Sequence, residues 1–578
     1  MRFSKRYLAF VLLIVAAVFI KLNNWSDRYA AVEAFRGAAL SEEVLYPLMS
    51  KNLNDSGTLS IYINDDSYEN TDKTVILDDT MTPVASLDFV RDVLMGAAYM
   101  ADENTALVQV GEDIYQFTLG SDIGYKNDEK IQLQVKPSSK NGQTYIGLED
   151  LCFIFAYDYS YSSEAYSILI NIDETPDLPD SYDLRTADRV SKIRNQGSTA
   201  TCWACASLEA LESSLLPAEK YIFSVEDMIN NNSFKLKESQ GGDYTMALAY
   251  LLSWQGPAAE TDSYSQEILT DENDDVSDQL QVHLQEAHFY DSDDLDQIKW
   301  AVYRYGGVST SIYASVSTSN LDTTGSYNRY TNSYCYTGNN KPNHDVVIIG
   351  WDDNYPASKF SSSVAGDGAF ICQNSWGDDF GEKGIFYISY YDSNVGNQAV
   401  SYVKVDTTGL YNYIYQSDLC GWVGQLGYSK EWGYGANVFT AEADQQIEAA
   451  GFYALGANSS YEVYFVPDFE NTSSLAHRQL VASGTVDAKG YYTVKFDSPQ
   501  TVTKDENFAI LLYINTPGNK RPIAVEYVAD EMSQAADITD GVGFISSNGL
   551  DWESVEDTAS ANLCIKAYAN TVTEVFEE

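Results

Sequence analysis

The residue whose surroundings point most directly to chemistry is Cys202. It lies in Asn195-Gln196-Gly197-Ser198-Thr199-Ala200-Thr201-Cys202-Trp203-Ala204-Cys205-Ala206. Gly197 and its small neighbours read as a turn, and Leu208, Leu211 and Leu215 as the stripe of a helix headed by Cys202. A thiol at a helix N-terminus feels the positive end of the dipole, which favours the nucleophilic thiolate. Such a nucleophile needs a base, and the chain has only four histidines, His283, His288, His344 and His477. His344 opens the apolar β-forming run Val346-Val347-Ile348-Ile349, so it stands at a strand mouth, a place suited to general acid–base work. His283 and His288 read as part of a polar helical segment, and His477 falls in another domain. The third element is Gln373-Asn374-Ser375-Trp376-Gly377. A neutral amide oxygen there can accept an imidazole N–H and fix the ring without adding charge. Trp376 is placed to cover that bond, and Gly381-Glu382-Lys383-Gly384 to turn the chain into the strand Ile385-Phe386-Tyr387-Ile388-Ser389.

Taken in order, these segments resemble papain and the cathepsins over residues 181–405. Further landmarks agree. Pro179-Asp180-Ser181-Tyr182-Asp183-Leu184-Arg185 resembles the start of a mature papain-like domain. Phe223-Ser224-Val225-Glu226-Asp227-Met228 resembles the family's Leu-Ser-Glu-Gln segment, and Tyr305-Gly306-Gly307-Val308-Ser309 the entry to its β lobe. The resemblance implies a cysteine peptidase with Cys202 as nucleophile, His344 as base and Asn374 as orienting residue. Gln196, six residues before Cys202, would share the oxyanion hole with the Cys202 N–H. Gly241-Gly242 would bind extended substrate through its backbone, with Trp203, Asp345 and Trp376 as further substrate-binding residues. The mechanism implied is a thiolate–imidazolium pair, attack on a peptide carbonyl, protonation of the amine by His344 and hydrolysis of the thioester. A catalytically silent binding protein on the same fold, or an acyltransferase or transpeptidase, would be the alternatives.

Several departures mark this chain. The family's His and Asn follow the Cys by roughly 130–150 residues; His344 lies 142 residues on and Asn374 172. The Ser-rich stretch 357–366 reads as the insertion responsible. Thr199 stands where the family has a disulfide-forming Cys, so that bridge cannot form. Cys205 replaces an aromatic and is expected to face the helix interior. Asp345 follows the histidine where a small apolar residue is common, and is expected to raise the His344 pKa and alter substrate preference. No helical inhibitory propeptide of the cathepsin type is legible, which leaves the upstream region as the candidate shield for the cleft.

A chain of 578 residues needs more than one core. The fold class read from the sequence is multidomain α+β: a papain-like fold, with a helical left lobe and a β right lobe, between an α+β N-terminal domain and a C-terminal β-sandwich. The expected segments are a signal peptide or signal anchor (1–21), a stalk (22–55), the α+β domain (56–172), a linker (173–180), the catalytic domain (181–405) and the sandwich (406–578). Arg2, Lys5 and Arg6 precede the apolar run from Tyr7 to Ile20, an export signature that places the bulk of the chain at the cell surface or beyond it. In 56–172, strand and helix patterns recur after roughly 60 residues, as two weak copies of one unit. This resembles the tandem copper amine oxidase N-terminal-like domain. The region has no histidine, and neither a cofactor nor a metal is expected.

The sandwich region resembles a lectin-like domain. Its Trp422, Tyr428, Trp432 and Tyr434 either pack within the protein or stack on a carbohydrate or cell-wall ligand. The net charge of -49 repels nucleic acid, so protein or peptide substrates are the expected partners, with a membrane anchor at the N-terminus if the apolar segment is retained. Seven cysteines leave at least one unpaired; Cys420 and Cys564 are the only candidate pair.

Overall fold

The computed structural model describes residues 59–572, apart from a few single positions and the segments 71–72, 173–176, 236–238, 261–281 and 315–324. The expected signal segment and stalk, and the first half of the expected linker, lie outside the described residues. Among the described residues no helix is long and apolar enough to cross a membrane.

The chain divides into two compact units. The smaller gathers the strands Ser60–Ile63, Asp66–Tyr68, Asp158–Ser162 and Ser167–Asn171 into one sheet, with Ser60–Ile63 parallel to Ser167–Asn171. The larger unit holds 69–156 and everything from 173 onward. The repeat read from the sequence is visible in the order of elements. Strands Val75–Leu77 and Pro83–Ser86 lead into helix Leu87–Asp92 and then strands Ala97–Asp102 and Thr105–Val110. Strands Ser138–Lys140 and Gln143–Gly147 lead into helix Leu148–Ile154 and then the pair at 158–162 and 167–171.

Within the larger unit, this N-terminal region touches the catalytic domain on helix Leu295–Tyr305. Tyr305 Oη donates to Asp92 Oδ1 at 2.7 Å, Tyr303 Oη to the Gly111 carbonyl at 3.4 Å, and the Arg189 guanidinium lies over the Tyr99 ring. None of these three contacts involves Gln196, Cys202, His344 or Asn374.

The catalytic domain sets the helix Cys202–Leu215 against a sheet. The helix is buried from Trp203 to Ser213, on every face, because it lies between the two lobes. Leu216 precedes Pro217, which disfavours a further helical turn. The strand His344–Asp352 forms as its β-branched run predicts, with Val346–Ile349 fully buried. It pairs with Val308–Ile312 on one side and Ala369–Gln373 on the other.

His283 and His288 lie on a strand, His283–Tyr290, and not on a helix as the sequence suggested. Burial alternates along it, with Leu284, Ala287 and Phe289 inward, a period that the polar residues between them hid. This strand joins the two domains. It pairs antiparallel with Asn397–Asp406 of the catalytic domain and with Lys489–Val502 of the C-terminal domain, so one 13-stranded sheet runs through both. The C-terminal domain is a sandwich. Its second sheet, of six strands, packs through Val463, Phe465, Ile510 and Leu512 onto Ile447, Phe452 and Ala567.

All seven cysteines are free, which corrects the expected Cys420–Cys564 pair. Cys420 instead donates its thiol to the Ser233 carbonyl, and Cys564 is fully buried beside Asp418.

Candidate active site

Two loops are zipped together at the head of the catalytic helix. Gln196 N–H donates to the Ser375 carbonyl at 2.8 Å, Gly377 N–H to the Arg194 carbonyl at 2.9 Å, and Asn195 and Trp376 form a β-bridge. The loop preceding Cys202 is thereby held against the loop carrying Asn374. At the same point the backbone N–H groups of Asp345, Trp203 and Cys202 itself act on the Cys202 sulfur. The sulfur therefore sits beside the residue that follows His344.

The histidine is held from two sides. His344 Nε2 lies 2.8 Å from Asn374 Oδ1, and its ring stacks on Trp376 with centroids 4.6 Å apart. Asn374 Oδ1 also accepts the Ser375 N–H at 2.9 Å. That second donor identifies the atom as the amide oxygen, so His344 Nε2 carries the proton and Nδ1 is left as the basic atom. Below the ring, Ile312, Tyr327, Tyr334, Phe380 and Phe386 line a small apolar pocket. His344 and Asn374 are both buried, and the aromatic cover excludes water from their bond.

Gln196 is positioned by its oxygen. Ser375 Oγ donates to Gln196 Oε1 at 2.7 Å, and Nε2 donates to the Thr199 carbonyl at 2.8 Å. One N–H of the amide remains for a developing oxyanion.

Burial pushes the Cys202 thiol up to about 12; the Asp345 charge adds to this, and the three backbone N–H groups oppose it. Burial also pushes the His344 imidazole down to about 4, against its bond to Asn374. Each shift is the penalty on one charge formed alone. Proton transfer from Cys202 to His344 makes both charges together with no net change, so titration belongs to the pair. Asp345 is absent from the groups that shift His344, contrary to expectation. The strand alternates, and its carboxylate accepts from Ser311 Oγ on the opposite face.

The remaining sequence-chosen residues are placed as follows. Gly241 has φ of +78°, and a Cβ on Gly242 would lie 2.8 Å from the Trp203 indole. Trp203 is therefore packed beneath Gly242, 4% exposed, and supports the backbone there. Cys205 is buried in the helix interior. The stretch 357–366 begins with the short 3₁₀ turn Ala357–Lys359, capped by an Asp367 carboxylate bonding to Ala357 N–H.

Sequence reasoning missed a charged group behind the site. Arg194 donates to both carboxylate oxygens of Glu212 and to the Phe223 carbonyl, with Glu212 wholly buried. Glu209, also wholly buried, accepts the Arg194 backbone N–H, and burial pushes its carboxyl up to about 8. Two acids three residues apart, in a helix whose other residues are apolar apart from three serines, were the available signal. Ser375 was missed as the residue that orients Gln196.

In the sandwich, Trp422 stacks on Phe289 of the catalytic domain and is covered by Lys489. Tyr428 donates to the Ile545 carbonyl, and Tyr434 packs on Tyr513 and Trp552. Trp432 is 40% exposed.

Comparison with known proteins agrees with this geometry. Residues 178–404 match the papain family of cysteine proteases, 414–569 the lectin like domain, and 62–170 the copper amine oxidase N-terminal domain. A viral cathepsin of Heliothis zea nuclear polyhedrosis virus is 27% identical over 237 residues, which are 39% of this chain and 58% of that protein. Cathepsin S of Mus musculus is 29% identical over 223 residues, 38% of this chain and 60% of that protein. The chain thus spans about three-fifths of the length of these two relatives. Among solved structures, the clostridial cysteine protease Cwp84 after propeptide cleavage superposes with a TM-score of 0.58 at 23% identity, over 68% of this chain and 99% of that one. The protease and lectin-like domains of Cwp84, described as a surface layer associated protein of Clostridium difficile, give 0.56 at 23% identity, over 68% and 89%. These two likenesses speak for the fold. The three matched segments give the chain a papain-family cysteine protease domain that stands in sequence between a copper amine oxidase N-terminal domain and a lectin like domain.

Proposed function

We propose that this chain is an exported cysteine endopeptidase in which Cys202 forms a thioester with the acyl part of a peptide substrate. Cys202 gives its proton to His344 Nδ1 and attacks the carbonyl. The Cys202 backbone N–H and the free Gln196 Nε2–H receive the oxyanion. His344 then protonates the departing amine, and water, deprotonated by His344, hydrolyses the thioester. Asn374 keeps the imidazole in the tautomer that this sequence of steps requires. The observation that carries the reading is Asn374 Oδ1 held between His344 Nε2 and the Ser375 N–H, since it leaves Nδ1 as the base.

A thiol-directed epoxide should label the wild-type protein once and Cys202→Ala not at all. Absence of labelling, or labelling that survives the substitution, would sink the peptidase reading in favour of a silent binding protein. Aminolysis outrunning hydrolysis would identify an acyltransferase. Gln196→Ala should lower kcat by on the order of 10²–10³ with a much smaller change in KM, because the amide acts on charge that appears only in the transition state. Equal falls in kcat for a Ser375→Ala variant, which frees the amide to rotate, would add to the case; an unchanged kcat for Gln196→Ala would remove Gln196 from the site.

Export is supported by the basic-then-apolar N-terminal segment, and surface attachment by the description of Cwp84. For the lectin-like domain, Trp432 is the aromatic available to stack on a sugar, with Lys430 Nζ 5.2 Å from its ring centre. Binding to cell-wall carbohydrate should then fall at least tenfold in Trp432→Ala, measured by pull-down. Retention of binding in that variant would move the sugar to other residues, and no binding by the wild type would leave the domain as a structural extension of the shared sheet.

A further inference from the structure

Cys202 shares the head of its helix with a second thiol. Thr201 caps the helix Cys202–Leu215, and Cys205 follows Cys202 within the first turn. The Ala204 and Cys205 N–H groups both donate to the Thr201 carbonyl, each at 3.1 Å, so this turn is partly 3₁₀ in character. A 3₁₀ turn brings side chains three residues apart over one another. The Cα atoms of residues three apart in a helix are about 5 Å from each other, inside the range of about 4.4–6.8 Å that a disulfide spans. Helical side chains also lean toward the N-terminus. Cys205 does so, since its sulfur is hydrogen-bonded by the side chain of Thr201, the residue just before Cys202. The Cys202 sulfur is held at the same end by the Cys202 and Trp203 N–H groups, and the Cys202 charge is felt at Cys205.

The two thiols differ in access. Cys202 is half-buried, whereas the other six cysteines are buried. It is therefore the thiol that a dissolved oxidant meets first. Cys205 is 2% exposed. Burial pushes its thiol up to about 12; the Glu209 charge adds to this and Arg194 opposes it. Such a thiol is idle toward substrate and toward peroxide in solution. It reacts only with an electrophilic sulfur brought against it, and Cys202 stands in that place. No step of the proposed hydrolysis uses Cys205, and no third cysteine lies between Arg194 and Lys220 to compete for it.

We propose that Cys205 is a resolving thiol for Cys202, and that the two form a reversible disulfide which stores the nucleophile in an oxidised, inactive state. The oxidant is a hydroperoxide. The Cys202 thiolate attacks one peroxide oxygen, the O–O bond breaks, and Cys202 becomes a sulfenic acid, S–OH. The departing oxygen takes the proton held by His344 and leaves as water or an alcohol. The Cys205 sulfur then attacks the Cys202 sulfur. The S–S bond forms, the S–OH bond breaks, and the hydroxyl leaves as water with the Cys205 proton. Two thiols are oxidised by two electrons and one peroxide is reduced. A dithiol returns both thiols by exchange through a mixed disulfide. The inference rests on the reading of Cys202 as the nucleophile given above.

The bridged sulfur has no proton for His344 to take and cannot attack a carbonyl, so hydrolysis stops until the bridge is reduced. The gain is protection. A sulfenic acid with no thiol beside it goes on to sulfinic and sulfonic acids, which a dithiol does not reverse. Export, as proposed above, places the pair where disulfides form and persist.

The test treats the full chain with hydrogen peroxide and then with dithiothreitol, and reads epoxide labelling, peptide hydrolysis and peptide mass. Trypsin cuts after Arg194 and Lys220, so one peptide, 195–220, carries both thiols and no other cysteine. In peroxide-treated wild type that peptide should be lighter by two hydrogens and labelling should fall at least tenfold; dithiothreitol should restore both. Cys205→Ser and Cys205→Ala should label and hydrolyse as wild type does before oxidation. After the same peroxide treatment their peptide should be heavier by two or three oxygens, and the activity regained with dithiothreitol at least tenfold below that of wild type. A labelled wild type whose peptide gains oxygens without losing hydrogens, or recovery that is equal in the Cys205 variants, overturns this proposal alone. The wild-type mass decides the question where neither variant folds. A reduced wild type that the epoxide does not label overturns the peptidase reading and this proposal with it.

Discussion

Cys202→Ala should leave the protein folded and remove peptide hydrolysis by on the order of 10⁶-fold in kcat, the scale seen when a triad nucleophile is deleted. The small side chain at that position costs little, because Ala is a good helix former and the helix ends in the same place. His344→Ala should cost nearly as much, and the double variant no more than either single one. The reason is that the two residues act as one unit: His344 Nδ1 is useful only to a sulfur, and the sulfur, buried and facing Asp345, is a poor nucleophile without a base. Asn374→Ala should fall between these and wild type, since the Trp376 stack still holds the ring while the tautomer is released. The measurement is single-turnover hydrolysis of a fluorogenic peptide. Additive losses in the double variant would mean that Cys202 and His344 do not form a pair.

Much of this site was legible because its parts are local. Cys202 heads a helix, His344 a strand and Asn374 a loop, and each type of element announces itself through periodicity or glycine within a few residues. The order of the three, with Gln196 ahead of them, needed no contacts to be read. What escaped was set by residues far apart in the chain. Ser375 orients Gln196 across 179 positions, a role no local pattern can carry. Asp345 was noticed as unusual but assigned to the wrong neighbour. The strand's alternation, which is a local rule, sends its side chain away from His344 and toward Ser311. The His283–Tyr290 strand was mistaken for a helix because its alternation is broken by Gln285 and Glu286 together. Gln285 is buried there at the seam between two domains, a setting that a single segment cannot reveal. Trp422, read as either packed or sugar-binding, belongs to the same seam through Phe289. The cysteines illustrate the converse limit: parity required one free thiol, and in fact all are free.

The largest stability effect should come from Arg194, two residues before Gln196. Its guanidinium bridges Glu212 bidentately, with the Phe223 carbonyl as a third acceptor, and the ion pair is closed to solvent on the Glu212 side. Glu212 in turn accepts the Phe223 N–H at 2.7 Å and the Ser191 hydroxyl, so one carboxylate ties two segments of the left lobe, 191–194 and the one at Phe223, to the catalytic helix. Arg194→Ala leaves that carboxylate buried without its cation, next to Glu209, and should destabilise the catalytic domain by about 3–5 kcal/mol. The penalty belongs to the stranded charge and not to the loss of attraction as such. Replacing both partners by apolar residues of similar volume, Arg194→Met with Glu212→Leu, should therefore recover most of the loss. Activity need not recover with stability. The Arg194 carbonyl receives the Gly377 N–H, and its own N–H is held by Glu209, so the guanidinium anchors the loop that presents Gln196 to the reacting carbonyl. The expected result is a double variant that unfolds near the wild-type temperature in calorimetry but shows a reduced kcat. A double variant as unstable as Arg194→Ala would mean that the ion pair itself, and not the avoidance of a lone buried charge, holds the lobe together.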